Sequence, residues 1–197
     1  MKEEIFESYL EAGRIAKRVL LFGAGEVRTG ASIAEVVRII EQQVIEGEGA
    51  GLAFPLNLSF NEDAAHDTAM VKDERVFSTG DVVKLDLGVH IDGYIADIAI
   101  TVDLGNHGPL VEASRAALDA AIALVRPGIT AGQIGAVIQE TIEGRGFRPV
   151  ANLTGHGLGR YAIHTPPTIP NLRIQGGAAL KEDLVFAIEP FATTGSG

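Results

Sequence analysis

Cysteine and tryptophan are both absent from this chain of 197 residues, methionine occurs twice, and aromatic residues make up 6%. Without cysteine there is neither a disulfide framework nor a thiolate ligand, so any metal must be held by His, Asp and Glu. Basic residues are also scarce: 16 Lys and Arg against 26 Asp and Glu leave a formal charge of −10. That balance argues against nucleic acid or an anionic membrane as the main partner and favours small molecules or peptides. The opening stretch MKEEIFESYLEAGRIAKRVL is acidic early and lacks an uninterrupted apolar run. It reads as neither a secretory signal nor a membrane span, which makes a cytoplasmic protein the default expectation. The length suits one domain with a sizeable core.

The stretch VVKLDLGVHIDGYIADIAITVDL, Val82 to Leu104, reads as a β-hairpin. Two apolar runs flank Asp92-Gly93, a dipeptide that supplies the positive φ angles of a type I′ turn. A two-residue loop sets Ile91 opposite Tyr94, Gly88 opposite Asp97 and Asp86 opposite Ala99. Asp86 and Asp97 then share one face as diagonal neighbours, roughly 7–8 Å apart at Cα. Leu85, Leu87, Val89, Ile98, Ile100 and Val102 take the other, core-facing side, while Gly88 and Ala99 leave room beside the carboxylates. A solvated face is the ordinary explanation for two such groups. Asp is depleted from strand interiors, however, and two like charges on neighbouring strands repel. A divalent cation reverses the sign of that interaction, and converging carboxylates suit Mn²⁺, Co²⁺, Fe²⁺ or Zn²⁺.

Around the hairpin the pattern is helical. Residues 3–24 carry an apolar stripe, and a second helix starts at Ser32 with an S-x-x-E capping box completed by Glu35, running to a break at Gly47–Gly51. A short extended piece and a polar loop holding His66 follow. After the Asn106-His107-Gly108-Pro109 break, a third helix covers about 110–125, and a fourth opens at Thr130 with Gln133 completing its box. The stretch from Val27 parallels the stretch from Val125, PLNLSF parallels PVANLTG, and GDVVKLD parallels EDLVFAIE, which predicts a strand ending at Glu189. This order suggests a duplicated, pseudo-twofold domain.

Two loop regions concentrate the remaining chemistry. His66 follows the first NLS, and His156 and His164 lie in TGHGLGRYAIH, where glycines allow close backbone approach to a ligand. His90 and His107 read as solvated. Glu189, which ends the apolar run LVFAI, has a salt bridge to Lys or Arg as its ordinary reading. Taken with Asp86, Asp97 and His156, it makes the mixed N/O set of a catalytic metal site.

The ordered set NLSFNEDAAH, KLDLGVHIDGYIAD, TGHGLGRYAIH…IPN and FAIEPFA resembles the methionine aminopeptidases of the creatinase/aminopeptidase superfamily, peptidase family M24. The NLS-N-E-AAH, IPN and EPFAT elements resemble the type II, archaeal-eukaryotic branch, although GHGLGR leans toward type I. The resemblance implies an α+β pita-bread fold: one domain over 1–197, with half-repeats of about 1–105 and 108–197. It implies two divalent ions (Co, Mn, Fe, Zn or Ni), with Asp86 on one, Asp97 bridging, and His156 and Glu189 on the second. Glu189 is then the general base beside a bridging water, and His66 and His164 are the substrate-contacting histidines. The family's fifth ligand, a Glu on a last strand, and the type II helical insertion have no counterpart in these residues. The implied activity is removal of N-terminal Met when the second residue is small, on peptide or nascent-chain N-termini, by a monomer with room for ribosome association and no nucleic-acid or membrane partner. The alternatives are an Xaa-Pro dipeptidase of the same fold and a non-catalytic pita-bread binding module.

Overall fold

The computed structural model describes residues 1–47 and 49–197, so Glu48, inside the predicted Gly47–Gly51 break, lies outside the described residues. The chain divides into two compact units, Met1–Asn106 with Arg160–Ala162, and His107–Gly159 with Ile163–Gly197. In the first, α1 (Glu3–Glu26) and α2 (Ile33–Ile45) precede β1 (Ala50–Leu52), β2 (Asn57–Phe60), β3 (Val82–Ile91) and β4 (Tyr94–Asp103). The second holds α3 (Gly108–Leu124), α4 (Ala131–Glu143), β5 (Arg148–Pro149) and β6 (Thr154–Gly159), then β7 (Ala162–Pro170), whose first residue counts with the first unit, and β8 (Ala192–Thr193).

Strand β3 is the axis of the first unit. It pairs antiparallel with β4 along its whole length, while β2 and β1 share its other edge. The predicted register holds: Ile91 faces Tyr94, Gly88 faces Asp97 and Asp86 faces Ala99. Asp92 and Gly93 both have positive φ, as the two-residue turn requires. Leu85, Leu87 and Val89 are fully buried with Val19, Ile40 and Leu58, and Ile98, Ile100 and Val102 pack against them. In the second unit Ile134, Ile138 and Ile142, at helical spacing on α4, form the core with Ile169.

Three local expectations need correction. Ser32 accepts from the Glu35 backbone N–H, but the Glu35 carboxylate turns to the Arg38 guanidinium one turn on, so the first capping box is half made. Thr130 and Gln133 complete theirs in both directions. Helix α3 begins at Gly108 because Pro109, expected as a breaker, occupies the first turn, where its fixed φ is helical and its missing N–H has no partner to lose. Finally, the segment before Glu189 is no regular strand. It touches β6 through a Phe186–Gly157 bridge, with Leu158 N donating to Val185 O and Ala187 N to His156 O. Among the described residues, no helix is long and apolar enough to cross a membrane.

Candidate functional site

On the hairpin, Asp86 and Asp97 share the face opposite the core, as diagonal neighbours across the β3–β4 ladder. Asn57 of β2 stands directly opposite Asp86 on its other side, bringing an amide beside the first carboxylate. The predicted free space at Gly88 is filled: the Phe54 ring and the Ala53 methyl sit where a Cβ would be. An aromatic wall therefore lines the carboxylate face. Lys84, two residues before Asp86 on the same face, donates to the Asn61 carbonyl at 2.9 Å. Burial pulls its pKa down to about 8, against the opposing pull of Asp63 and Glu62.

His66 is exposed in the loop after β2, with φ +67, a left-handed conformation that a non-glycine residue adopts at a cost. The surrounding loop imposes it. Leu58 N donates to Asp67 O at 2.6 Å, Asp67 N to the buried Ser59 hydroxyl at 3.1 Å, and the Thr68 hydroxyl to Leu56 O at 2.7 Å. Arg75 ties the far end back through Asp67, Asp73 and the Thr68 carbonyl. The Arg75 guanidinium, followed by the Arg75 and Met70 backbone N–H groups, holds the Asp73 carboxyl down to about 2 from an ordinary 3.8. Because the folded value is the lower one, this carboxylate adds stability above its ordinary pKa, and that stability is lost as pH falls toward about 2. Asp73→Asn is accordingly expected to lower stability at neutral pH and to flatten the acid limb of the stability curve, measured by urea denaturation at stepped pH. An unchanged acid limb would remove the Arg75–Asp73 clamp from the account of this loop.

In the second unit His156 and Glu189 meet by the same geometry as the two aspartates. The Gly157–Phe186 bridge sets His156 opposite Ala187, so Glu189, two residues on, is its diagonal neighbour on the same face. His156 Nδ1 lies 3.2 Å from the Gly157 carbonyl oxygen, which accepts a hydrogen bond when the ring carries a proton on Nδ1. Its Nε2 lies 2.9 Å from Glu189 Oε1. That distance suits an ion pair with a protonated ring; with the ring neutral and its proton on Nδ1, Oε1 is buried without a hydrogen-bond partner. In that form two acceptors face each other where a cation would satisfy both, so an imidazole–carboxylate pair of this kind fits a divalent ion. Among the described residues no Lys or Arg pairs with Glu189, which removes its ordinary alternative. The His164 ring stands edge-on to His156, with centroids 4.3 Å apart.

The glycines flanking His156 admit the chain itself. A Cβ at Gly155 would collide with the Ala187 carbonyl, and one at Gly157 with the Pro166 carbonyl. His90 is structural, not solvated: its Nδ1 accepts from Gly93 N at 3.3 Å and its ring abuts Tyr161. His107 lies exposed at the start of α3. Asn171 also touches the backbone of this region. Its side chain donates to the Leu153 and Glu189 carbonyls at 2.9 and 2.8 Å, and only the IPN triplet hinted at it.

Comparison with known proteins bears on the same residues. The chain is 50% identical over 197 residues to a methionine aminopeptidase of Archaeoglobus fulgidus, covering 100% of this chain and 67% of that protein. It spans about two thirds of the length of the curated relatives it matches. The crystal structure of methionine aminopeptidase from Rickettsia prowazekii superposes with a TM-score of 0.90 at 27% identity, covering 100% of this chain and 82% of that one. The prolidase from Pyrococcus horikoshii superposes with a TM-score of 0.81 at 26% identity, over 96% of this chain and 55% of that one. The fold is accordingly the α+β pita-bread fold. With the profile of metallopeptidase family M24 matching residues 7–197, this chain belongs to that family.

Proposed function

We propose that this chain is a metal-dependent aminopeptidase that removes N-terminal methionine from cytoplasmic peptides and nascent chains when the second residue is small. The reading takes 1–197 as one domain of two half-repeats, and Asp86, Asp97, His156 and Glu189 as ligands of two divalent ions. The observation that carries it is the His156–Glu189 pair, an imidazole nitrogen 2.9 Å from a buried carboxylate oxygen that no Lys or Arg neutralises among the described residues. The 50% identity to an archaeal methionine aminopeptidase supports the choice of substrate. When bound, such ions make water a nucleophile at neutral pH and polarise the scissile carbonyl.

The chain's own residues divide the remaining work. Glu189 is the general base and takes a proton from the attacking water at a carboxylate oxygen. His164 donates a hydrogen bond to the scissile carbonyl oxygen as negative charge builds there. His66 contacts the scissile amide and delivers a proton to the leaving nitrogen, a task suited to an imidazole near neutral pH. Its exposed, conformationally strained position supports a role in contacting substrate.

The test compares Met-Ala-Ser with an Ala-Pro dipeptide in the presence of Mn²⁺ or Co²⁺. Release of Met from the tripeptide with little cleavage of Ala-Pro is expected. The reverse preference would mark a proline dipeptidase, and absence of a tight Mn²⁺ site by calorimetry would mark a binding module.

A further inference from the structure

We infer that Asn171 is a positioning residue that sets the divalent-ion affinity of the His156–Glu189 pair by holding the backbone of Glu189; the inference rests on the metal reading above. Among the described residues Ser59 and Asn171 are the polar residues buried as a whole, the latter 1% exposed. Ser59 anchors the loop of His66. Asn171 does the equivalent at the other end of the chemistry.

Both Nδ2 hydrogens of Asn171 are used, one on the Leu153 carbonyl at 2.9 Å and one on the Glu189 carbonyl at 2.8 Å. Carbonyls can only accept, so flipping the amide would set Oδ1 against both of these oxygens. One of these acceptors immediately precedes β6, which carries His156, and the other belongs to Glu189 itself. The connection replaces one that the backbone does not make. Ala187 N to His156 O, at 2.8 Å, is the last backbone bond between the two segments, and Pro190 has no N–H with which to extend the pairing. Beyond that point the Asn171 side chain supplies the missing donor.

Asn171 is itself rigidly held. The Pro170 and Leu172 carbonyls on either side press onto α4 at Gly135, where a Cβ would collide with the latter and lie 2.8 Å from the former. Its Oδ1 is buried with no hydrogen-bond partner, an arrangement poorly suited to stability alone. A side chain that fixes two backbone points and leaves its own acceptor unsatisfied fits the outer support of a ligand pair, whose loss typically weakens metal binding by about 10–100-fold.

The experiment is calorimetric titration of the metal-free 197-residue chain with Mn²⁺, for the unsubstituted protein, Asn171→Asp and Asn171→Gln. Asn171→Asp keeps the shape but removes the donors, and is expected to bind about 10–100-fold more weakly with an unchanged far-ultraviolet spectrum. Asn171→Gln keeps both N–H groups and is expected to recover part of that loss. Equal affinity in all three proteins would overturn the inference while leaving the metal reading intact. No Mn²⁺ site in the unsubstituted chain would overturn both. Because Asn171→Asp could fail to fold, the unsubstituted protein supplies an independent check: its Asn171 side-chain amide protons, followed by NMR with and without Zn²⁺, should exchange slowly. Rapid exchange in both states would overturn the clamp.

Discussion

Glu189→Gln is expected to abolish methionine release from Met-Ala-Ser and, in the metal-free chain, to raise the melting temperature. Both effects come from one contact. With the ring neutral and its proton on Nδ1, Nε2 of His156 and Oε1 of Glu189 are two acceptors 2.9 Å apart with no ion between them. A glutamine amide turned to present its NH₂ group converts that opposition into a donor–acceptor pair. A neutral hydrogen bond contributes about 1 kcal/mol, which corresponds to roughly 2–4 °C in a chain of this size. The same substitution removes an anionic ligand and the general base, for which a loss of about 10²–10⁴-fold in turnover is expected. Calorimetry in the metal-free state and a peptide assay with Mn²⁺ read the two signs separately. Turnover within a few-fold of the unsubstituted protein would refute the role given to Glu189, and a lowered melting temperature would refute the facing-acceptor account.

A second large effect is expected from one added methyl group. Alanine at Gly155 would place its Cβ against the Ala187 carbonyl oxygen, 3.0 Å from the carbonyl carbon and 3.1 Å from Ile188 Cα. All three atoms are backbone, so no side-chain rotation relieves the overlap, and β6 must part from the 185–188 segment. Overpacking of this kind costs about 1–3 kcal/mol. Because His156 follows Gly155 directly and Glu189 follows Ile188, the parting also separates the two ligands. Gly155→Ala is therefore expected to lower the melting temperature and to weaken Mn²⁺ binding together. Gly25→Ala in α1, where nothing lies within 4 Å of the new methyl, is the matched control. It should be neutral or slightly stabilising, since alanine is the better helix former by up to about 1 kcal/mol. Equal behaviour of the two variants would remove the steric argument for His156.

The hairpin was legible in the sequence because Asp92-Gly93 fixes the loop length, and loop length fixes which residues face each other. Once Gly88 faces Asp97, the shared face of Asp86 and Asp97 follows from the period of two. Helices were legible through their caps, but the competition of Arg38 for Glu35 lay one turn beyond the motif. Contacts between distant segments were not legible. Nothing in the spacing indicates that Phe54 covers Gly88, or that Asn171 reaches Leu153 and Glu189, each 18 residues away. Arg75 likewise looks like any charged loop residue until Asp67, Asp73 and Thr68 are placed around it. The glycines of TGHGLGR signal tolerance of close approach, but nothing in the spacing says that the Ala187 and Pro166 carbonyls use it at Gly155 and Gly157. The extended run before Glu189 looked like a strand because its composition suits one, whereas strand status depends on pairing along its length, and the bonds end at Ala187.

The β6–β7 turn bears on how the protein can be dissected. Tyr161 N donates to the Gly93 carbonyl and the Arg160 guanidinium to the Asp92 carbonyl, both at 2.8 Å, and the Tyr161 ring occupies the space a Cβ at Gly93 would need. Three residues distant in sequence thus cap the tip of the carboxylate hairpin and count with the first unit. A fragment cut after Asn106 would carry that tip bare, with His90 and Tyr94 stripped of their Tyr161 and Arg160 neighbours. The natural severance point for a two-piece complementation design therefore differs from the boundary that chain order suggests.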